Sequence, residues 1–212
     1  IGYTPEQVTS IPEGANLGLG CGNPLKYAAV QPGETVLDLG SGAGIDCFLA
    51  AREVGPTGHV IGVDMTPQMI EKARTNLAKT ELKNTEFRLG EIEHLPVADG
   101  SVDVIISNCV VNLSPDKRQV FLEALRVLKP GGRLLVSDIV LTRQLPPEAQ
   151  RDVSLYVGCI AGASLKEDYL SSMREAGFTG VRVVSESTFA SSSAPQFVDS
   201  IASVKVQAWK QE

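Results

Sequence analysis

From Thr35 onward the chain alternates between short continuous apolar runs and longer stretches with helical spacing of apolar positions. Thr35-Val36-Leu37-Asp38-Leu39 is the first apolar run. It breaks at Gly40-Ser41-Gly42-Ala43-Gly44, after which Cys47 to Val54 reads as helix. His59 to Asp64 predicts a second strand. Thr66-Pro67 then opens a helix to about Lys79, with Thr66 at the N-cap and Pro67 at the first helical position. A weaker strand is predicted from Thr85 to Leu89 and a stronger, buried one from Val102 to Ser107. Pro115-Asp116 starts a helix to Leu128, which Lys129-Pro130-Gly131-Gly132 stops, and Arg133 to Asp138 is the fifth strand. Helical sequence follows Pro146-Pro147 and recurs from Lys166 to Ala176. Two further strands, Val181 to Glu186 and Ile201 to Trp209, close the pattern.

Strands separated by helices of this length predict parallel βαβ units with right-handed crossovers. The expected fold is a doubly wound, mostly parallel seven-stranded α/β sheet with helices on both faces. Residues 1–34 differ: within them, 1–26 are rich in Pro, Gly and Asn and show little periodicity. They predict a mobile lead segment, with room for one short helix, that contributes to the active site of a domain spanning 35–212. A chain of 212 residues suits one such domain.

The 19 Lys and Arg against 25 Asp and Glu give a net charge of −6, without a basic stripe. That argues against nucleic acid as a partner. No apolar window approaches the roughly 18–20 residues of a membrane span, so no membrane partner is expected either. Ile1-Gly2-Tyr3-Thr4-Pro5 is neither a signal peptide nor a start at methionine, so sequence upstream of it is expected. The cysteines, Cys21, Cys47, Cys109 and Cys159, are too few and too scattered for a disulfide framework and hold no CxxC zinc signature. Reduced thiols in a cytoplasmic protein are the default expectation.

Ligands of doubly wound sheets sit at the carboxyl ends of the strands. The turn after the first strand is therefore the candidate site, and its glycines at alternate positions let the backbone approach a ligand with no Cβ between them. A dinucleotide fingerprint needs a third glycine at the sixth position, where this chain has Ile45. Gly40-x-Gly42-x-Gly44 preceded by Asp38 resembles instead the S-adenosylmethionine loop of class I methyltransferases, a Rossmann-like group. There Asp38 sets negative charge near the ammonium and sulfonium. Asp64 ends the second strand 20 residues after Gly44, where an acid can accept both hydroxyls of a ribose. Gly90-Glu91-Ile92-Glu93 offers an amide and a carboxylate to an adenine edge. The plainer alternative is a tight turn at Gly40, Gly42 and Gly44 and a helix cap at Asp64.

Longer motifs narrow the family. Asn16-Leu17-Gly18-Leu19-Gly20-Cys21-Gly22-Asn23-Pro24, the Leu37 to Gly44 segment and Gly62-Val63-Asp64-Met65-Thr66-Pro67 resemble the arsenite S-adenosylmethionine methyltransferases. So do Gly90 to Glu93 and Ser107-Asn108-Cys109-Val110-Val111-Asn112-Leu113-Ser114-Pro115-Asp116-Lys117. The resemblance covers about residues 14 to 180. It implies that Cys21, Cys109 and Cys159 hold trivalent arsenic and serve as the catalytic thiols. It implies a cofactor site of Asp38, Gly40, Ser41, Gly42, Gly44, Asp64, Met65, Glu91, Ile92 and Asn108. S-adenosylmethionine is the implied cofactor, and arsenite or its thiol conjugates and a thiol reductant are the implied partners. Larger members carry a further amino-terminal cysteine, ahead of the position of Ile1, and extend past Trp209.

The chemistry is coherent. Trivalent arsenic is soft, so sulfur outcompetes imidazole or carboxylate as its ligand. Three thiolates would leave the arsenic lone pair aimed at an electrophilic methyl, and no protein base is required. Cys47 reads as a core thiol, His59 as a turn residue and His94 as a loop residue. Two enzyme alternatives stay open: methylation of a quinone or sterol carbon or a phenolic oxygen, and a nicotinamide-dependent dehydrogenase. Aromatic content of 5% argues mildly against the apolar pocket that the first of these needs. The remaining alternative is a non-catalytic arsenite or cofactor sensor.

Overall fold

The computed structural model describes residues 2–146, 160, 162–188 and 199–212. Cys159 and the helical sequence expected after Pro147 lie outside the described residues. Two short helices, α1 (Pro5–Thr9) and α2 (Leu25–Ala28), precede the sheet. Then follow β1 (Thr35–Leu39), α3 (Ile45–Val54), β2 (His59–Asp64), α4 (Pro67–Leu77) and β3 (Thr85–Leu89). After them come β4 (Val102–Asn108), a single 3-10 turn (Val111–Leu113), α5 (Lys117–Val127) and β5 (Leu128–Leu141). The last described elements are α6 (Lys166–Glu175), β6 (Thr179–Thr188) and β7 (Ile201–Trp209).

The seven strands lie in the order β3-β2-β1-β4-β5-β7-β6. The first five are parallel, while β7 runs antiparallel between β5 and β6. The chain winds outward from β1 to β3 and then returns to place β4 on the other side of β1. The crevice between the carboxyl ends of β1 and β4 is thus the switch point where ligands of such sheets bind.

Both sheet faces are covered, which is why the central strands read as unbroken apolar runs. Leu37, Leu39, Ile61, Val63, Ile105 and Val136 pack against Val120, Phe121 and Ala124 of α5 and Tyr169 and Met173 of α6. Their neighbours Val36, Val60, Val104, Ile106 and Leu135 face the other way, onto Cys47, Phe48 and Ala51 of α3 and Ile70 and Ala73 of α4. The period-two alternation of each strand distributes one continuous run to two cores.

Three expectations need correcting. β5 does not stop at Asp138 but continues to Leu141, paired throughout with β7. Thr66 stands at the N-cap of α4, but its side chain makes no capping hydrogen bond; its amide instead donates to Asp64 Oδ1 at 2.8 Å. The lead segment is docked rather than loose. Thr4 and Gln7 form a reciprocal capping box at α1, and Arg133 donates to the carbonyls of Ala28 and Ala29 at 2.6 and 2.7 Å while pairing with Glu34. Polar pins of this kind leave no apolar periodicity for a sequence pattern to reveal.

Candidate active site

The site grows from two turns at the switch point. Gly40 and Ser41 both donate their amides to the Val63 carbonyl, at 2.8 and 3.0 Å, which folds the loop back over β2. Gly42 donates to Asp64 Oδ2 at 2.9 Å. Gly44 closes the loop as the N-cap of α3 with φ +98°, and a Cβ there would stand 2.8 Å from both Phe48 and Phe87. Left-handed backbone and crowding together require glycine at this position. Asp64 therefore braces the loop with one carboxylate oxygen and the start of α4 with the other.

Beneath the loop two carboxyls lie buried together. Asp38 accepts a hydrogen bond from the Cys47 thiol at 3.3 Å. Asp46, in the first turn of α3, accepts from the Tyr3 hydroxyl at 2.9 and 3.0 Å and from Asn108 Nδ2 at 3.3 Å. Burial, and then the charge of Asp46, push the Asp38 carboxyl well above the usual range. Burial pushes Asp46 up to about 6, against the lowering effect of its Tyr3 and Asn108 hydrogen bonds. Tyr3 itself is pushed up, by burial first and by Asp46 second.

This has a measurable consequence. A carboxyl with a raised folded pKa holds more protons in the folded than in the unfolded state, so stability falls as pH rises between the two values. For Asp46 the window is about pH 4 to about 6. Asp46→Asn is expected to flatten the decline in urea stability over that window. An unchanged slope would show that Asp46 does not carry the effect.

The second turn follows β4. Asn108 is a clamp between the lead segment and the sheet. Its Oδ1 accepts from the Cys21 amide at 3.0 Å, and its Nδ2 donates to the Gly22 carbonyl at 2.8 Å and the Tyr3 hydroxyl at 3.0 Å. Gly20 has φ +102°, and a Cβ there would lie 2.8 Å from Asn108 Oδ1, so only glycine permits so close an approach. The Cys21 carbonyl is fixed from the other side by Ser203 Oγ at 2.9 Å and Lys205 Nζ at 3.3 Å.

Cys109, the residue after Asn108, takes the left-handed conformation with φ +59°, which is uncommon outside glycine. Its amide donates to the Ser137 carbonyl at 2.8 Å. That geometry turns its side chain toward the lead segment, where Cys21 and Cys109 form a disulfide with Cα atoms 5.9 Å apart. The expectation of uniformly reduced thiols is thereby corrected: two cysteines 88 residues apart are brought into bonding contact because Asn108 and Ser137 fix both backbones. Cys47 is the free thiol among the described residues and is buried, with burial and Asp38 raising its pKa.

The other expected site residues lie where the turns place them. Met65 is largely exposed beside Asp64, Glu91 is exposed, and Ile92 is buried at the edge of the core. A surface groove of about 560 Å³ runs past Ile11, Phe48, Arg52 and Leu82 and contains none of the expected site residues.

The residues fit a cationic adenosyl cofactor. Ser41 Oγ is buried in the loop without a hydrogen-bond partner, and Asp38, Asp46 and Asp64 are buried carboxyls at the end of β1, the first turn of α3 and the end of β2.

Residues 31–177 match the family described as "Methyltransferase domain". The chain is 61% identical over 183 residues to the arsenite methyltransferase of Halobacterium salinarum, covering 86% of this chain and 47% of that protein. The human arsenite methyltransferase is 40% identical over 158 residues, 70% of this chain and 42% of its own. The crystal structure of an arsenic(III) S-adenosylmethionine methyltransferase from Chlamydomonas reinhardtii superimposes with a TM-score of 0.82 at 35% identity, covering 99% of this chain and 75% of that one. This chain belongs to the arsenic(III) S-adenosylmethionine methyltransferase family. It spans about half the length of the curated relatives it matches.

Within this chain, sequence reasoning missed Tyr3, Asp46, Asn112, Asp138 and Tyr169. Asp138 is fully buried in β5, and its pKa is pushed up to about 7 by burial. One of its carboxylate oxygens and the sulfurs of Cys21 and Cys109 all lie within 4.8 Å of one another. An acid inside the apolar run Leu134-Leu135-Val136-Ser137-Asp138-Ile139-Val140 was the available signal.

Proposed function

We propose that this chain is an arsenite methyltransferase, carrying a methyl group from S-adenosylmethionine to trivalent arsenic bound on sulfur. The observation that carries this reading is the meeting of Cys21 and Cys109 beside the glycine loop, since paired sulfur suits a soft metalloid. S-adenosylmethionine, when bound, supplies an electrophilic methyl on a sulfonium.

The chain's own residues divide the remaining work. The backbone of Gly40, Ser41, Gly42 and Gly44 approaches the cofactor, and Asp64 accepts the ribose hydroxyls. Glu91, Ile92 and Met65 serve the adenine side, while Asp38 and Asn108 serve the methionine end. Cys21 and Cys109 become ligands only when a dithiol reductant opens their disulfide, taking the oxidation onto itself and leaving two thiols. Cys159, outside the described residues, supplies the third sulfur in this reading. Sulfur-bound arsenic offers its lone pair as the nucleophile and has no proton to lose, so no base is needed at the reacting atom. Rate then comes from alignment and from the exclusion of water. Among the described residues no helix is long and apolar enough to cross a membrane, and a cytoplasmic location with ready thiol reductants suits this chemistry.

The test is incubation of the dithiol-reduced protein with labelled S-adenosylmethionine and arsenite, with separation of the arsenic species. Methylated arsenic and S-adenosylhomocysteine are expected in step. Methyl transfer to a quinone or phenol without arsenic dependence would overturn the reading.

A further inference from the structure

Tyr3 lies ahead of residues 31–177, the span that matches the methyltransferase family, yet its hydroxyl stands where three elements of the site converge. It donates to Asp46 in the first turn of α3, at 2.9 and 3.0 Å, and accepts from Asn108 Nδ2, at the end of β4, at 3.0 Å. Asn108 in turn holds Gly22 through Nδ2, at 2.8 Å, and Cys21 through Oδ1, at 3.0 Å. These contacts have a direction. The phenol keeps its proton, because burial and Asp46 push its pKa up, and that proton is spent on Asp46. The Tyr3 oxygen can then only accept, so it takes the NH2 of Asn108 and turns the Asn108 oxygen toward the Cys21 amide. Other residues dock the lead segment as a whole: Asn23 donates to Gln7 Oε1 at 3.1 Å, Lys79 to the Glu13 carbonyl at 3.2 Å, and Arg52 to the Ser10 carbonyl. Holding the segment down and orienting Asn108 are thus tasks of different side chains.

We propose that Tyr3 is a positioning residue for methyl transfer: its hydroxyl, aimed by Asp46, fixes the Asn108 amide in the orientation that holds Cys21 opposite Cys109. This assignment rests on the arsenite reading above, in which both sulfurs bind the metalloid. Two thiols bind one centre tightly only when the second is already within reach as the first bonds. Displacement at a methyl carbon also demands that the nucleophile be aligned before reaction. Without the Tyr3 hydroxyl, Asn108 Nδ2 keeps the Gly22 carbonyl and its longer contact with Asp46 Oδ2, at 3.3 Å. The amide is then free to turn, the Cys21 amide loses its acceptor for part of the time, and the sulfur moves with it. The ring of Tyr3 packs against the core on the α3 side, so Tyr3→Phe keeps that packing and removes only the hydroxyl.

In the dithiol-reduced protein, Tyr3→Phe is expected to lower kcat for arsenite methylation about tenfold, the worth of one well-placed hydrogen bond. Cofactor affinity is expected to stay within about threefold, since the glycine loop hangs on Val63 and Asp64. A second readout needs no arsenic. With Cys159→Ser, and with the dithiol removed, dibromobimane alkylates one thiol of the Cys21 and Cys109 pair and then bridges to the other. The rate of the bridging step reports how near the two sulfurs are held. Tyr3→Phe is expected to slow bridging about tenfold and to leave the first alkylation within about twofold. Gln7→Ala loosens the segment at the α1 cap and at Asn23 but spares the hydroxyl network, so it is expected to change bridging less than about twofold. In an Asn108→Ala background Tyr3→Phe is expected to add less than about twofold, because its effect runs through Asn108. Unchanged bridging in Tyr3→Phe, an equal loss in Gln7→Ala, or a full further loss in the Asn108→Ala background overturns the assignment. If Asn108→Ala does not fold, the comparison of Tyr3→Phe with Gln7→Ala decides alone. A reduced wild-type protein that bridges its thiols but does not methylate arsenite overturns the arsenite reading, while the placement of Cys21 by Tyr3 still stands or falls on the bridging rates.

Discussion

Cys109→Ser is expected to lower arsenite methylation at least about hundredfold while S-adenosylmethionine affinity stays within about threefold of wild type. Serine is close to cysteine in size and can hold the same left-handed turn, because the position is set by the amide bond to the Ser137 carbonyl and not by the sulfur. The change is therefore one of donor chemistry: a hard hydroxyl replaces a soft thiolate at a thiophilic centre. It also breaks chelation. Cys21 is held in place independently by Asn108, Ser203 and Lys205, so its thiol remains beside the empty position with only the proposed Cys159 sulfur to share arsenic. Losing one of the linked attachments removes the effective concentration that made the set tight. The glycine loop takes its hydrogen bonds from Val63 and Asp64, and none of them passes through Cys109. Turnover with arsenite and calorimetry with the cofactor separate the two effects. Unchanged turnover would remove Cys109 from the arsenic site, and a parallel loss of cofactor affinity would point to a collapsed turn.

How far the sequence reveals this site depends on whether a feature is local. β1, β2, β4 and their crossovers are legible because strands buried on both faces become continuous apolar runs, bounded by glycine and proline turns. The loop at Gly40 to Gly44 and the acid at Asp64 are legible for the same reason: their spacing is a property of a single βαβ unit. The Cys21–Cys109 disulfide is not, because it joins residues 88 positions apart through a lead segment held by polar contacts. Only motif resemblance put those two cysteines in one set. Asp138 was misplaced for an instructive reason. A charged residue at the end of an apolar run reads as a strand terminus, since ionised side chains are rarely buried. Here β5 continues to Leu141 because Asn112, Tyr169 and the Ile139 amide meet the carboxyl from three directions. Asp46 was passed over similarly: an acid in the first helical turn is ordinary at a helix N-terminus, and only Tyr3, more than forty residues upstream, shows that this one is buried and paired.

Asp64→Ala is expected to weaken S-adenosylmethionine binding by about a hundredfold, more than any single change in the adenine-side residues. The wild-type carboxylate does two jobs at once. It accepts from Gly42 at 2.9 Å and from Thr66 at 2.8 Å, tying the glycine loop to the first turn of α4, and in the proposed role it also takes the ribose hydroxyls. Hydrogen bonds to a charged group contribute about 1.5–3 kcal/mol each, so even two lost interactions reach the hundredfold range. Part of the loss belongs to the protein alone: without Asp64 the Gly42 amide has no acceptor, and the loop must be ordered at the moment of binding. Amide exchange separates the two parts. If loop ordering matters, the Gly42 amide in Asp64→Ala should exchange faster than in wild type before any cofactor is added. Asp64→Asn, whose single side-chain oxygen can still accept from Gly42 or Thr66, should fall between alanine and wild type in affinity. A dissociation constant for Asp64→Ala within about threefold of wild type would mean that the loop is held by its Val63 contacts alone. The ribose would then have to find its acceptors elsewhere.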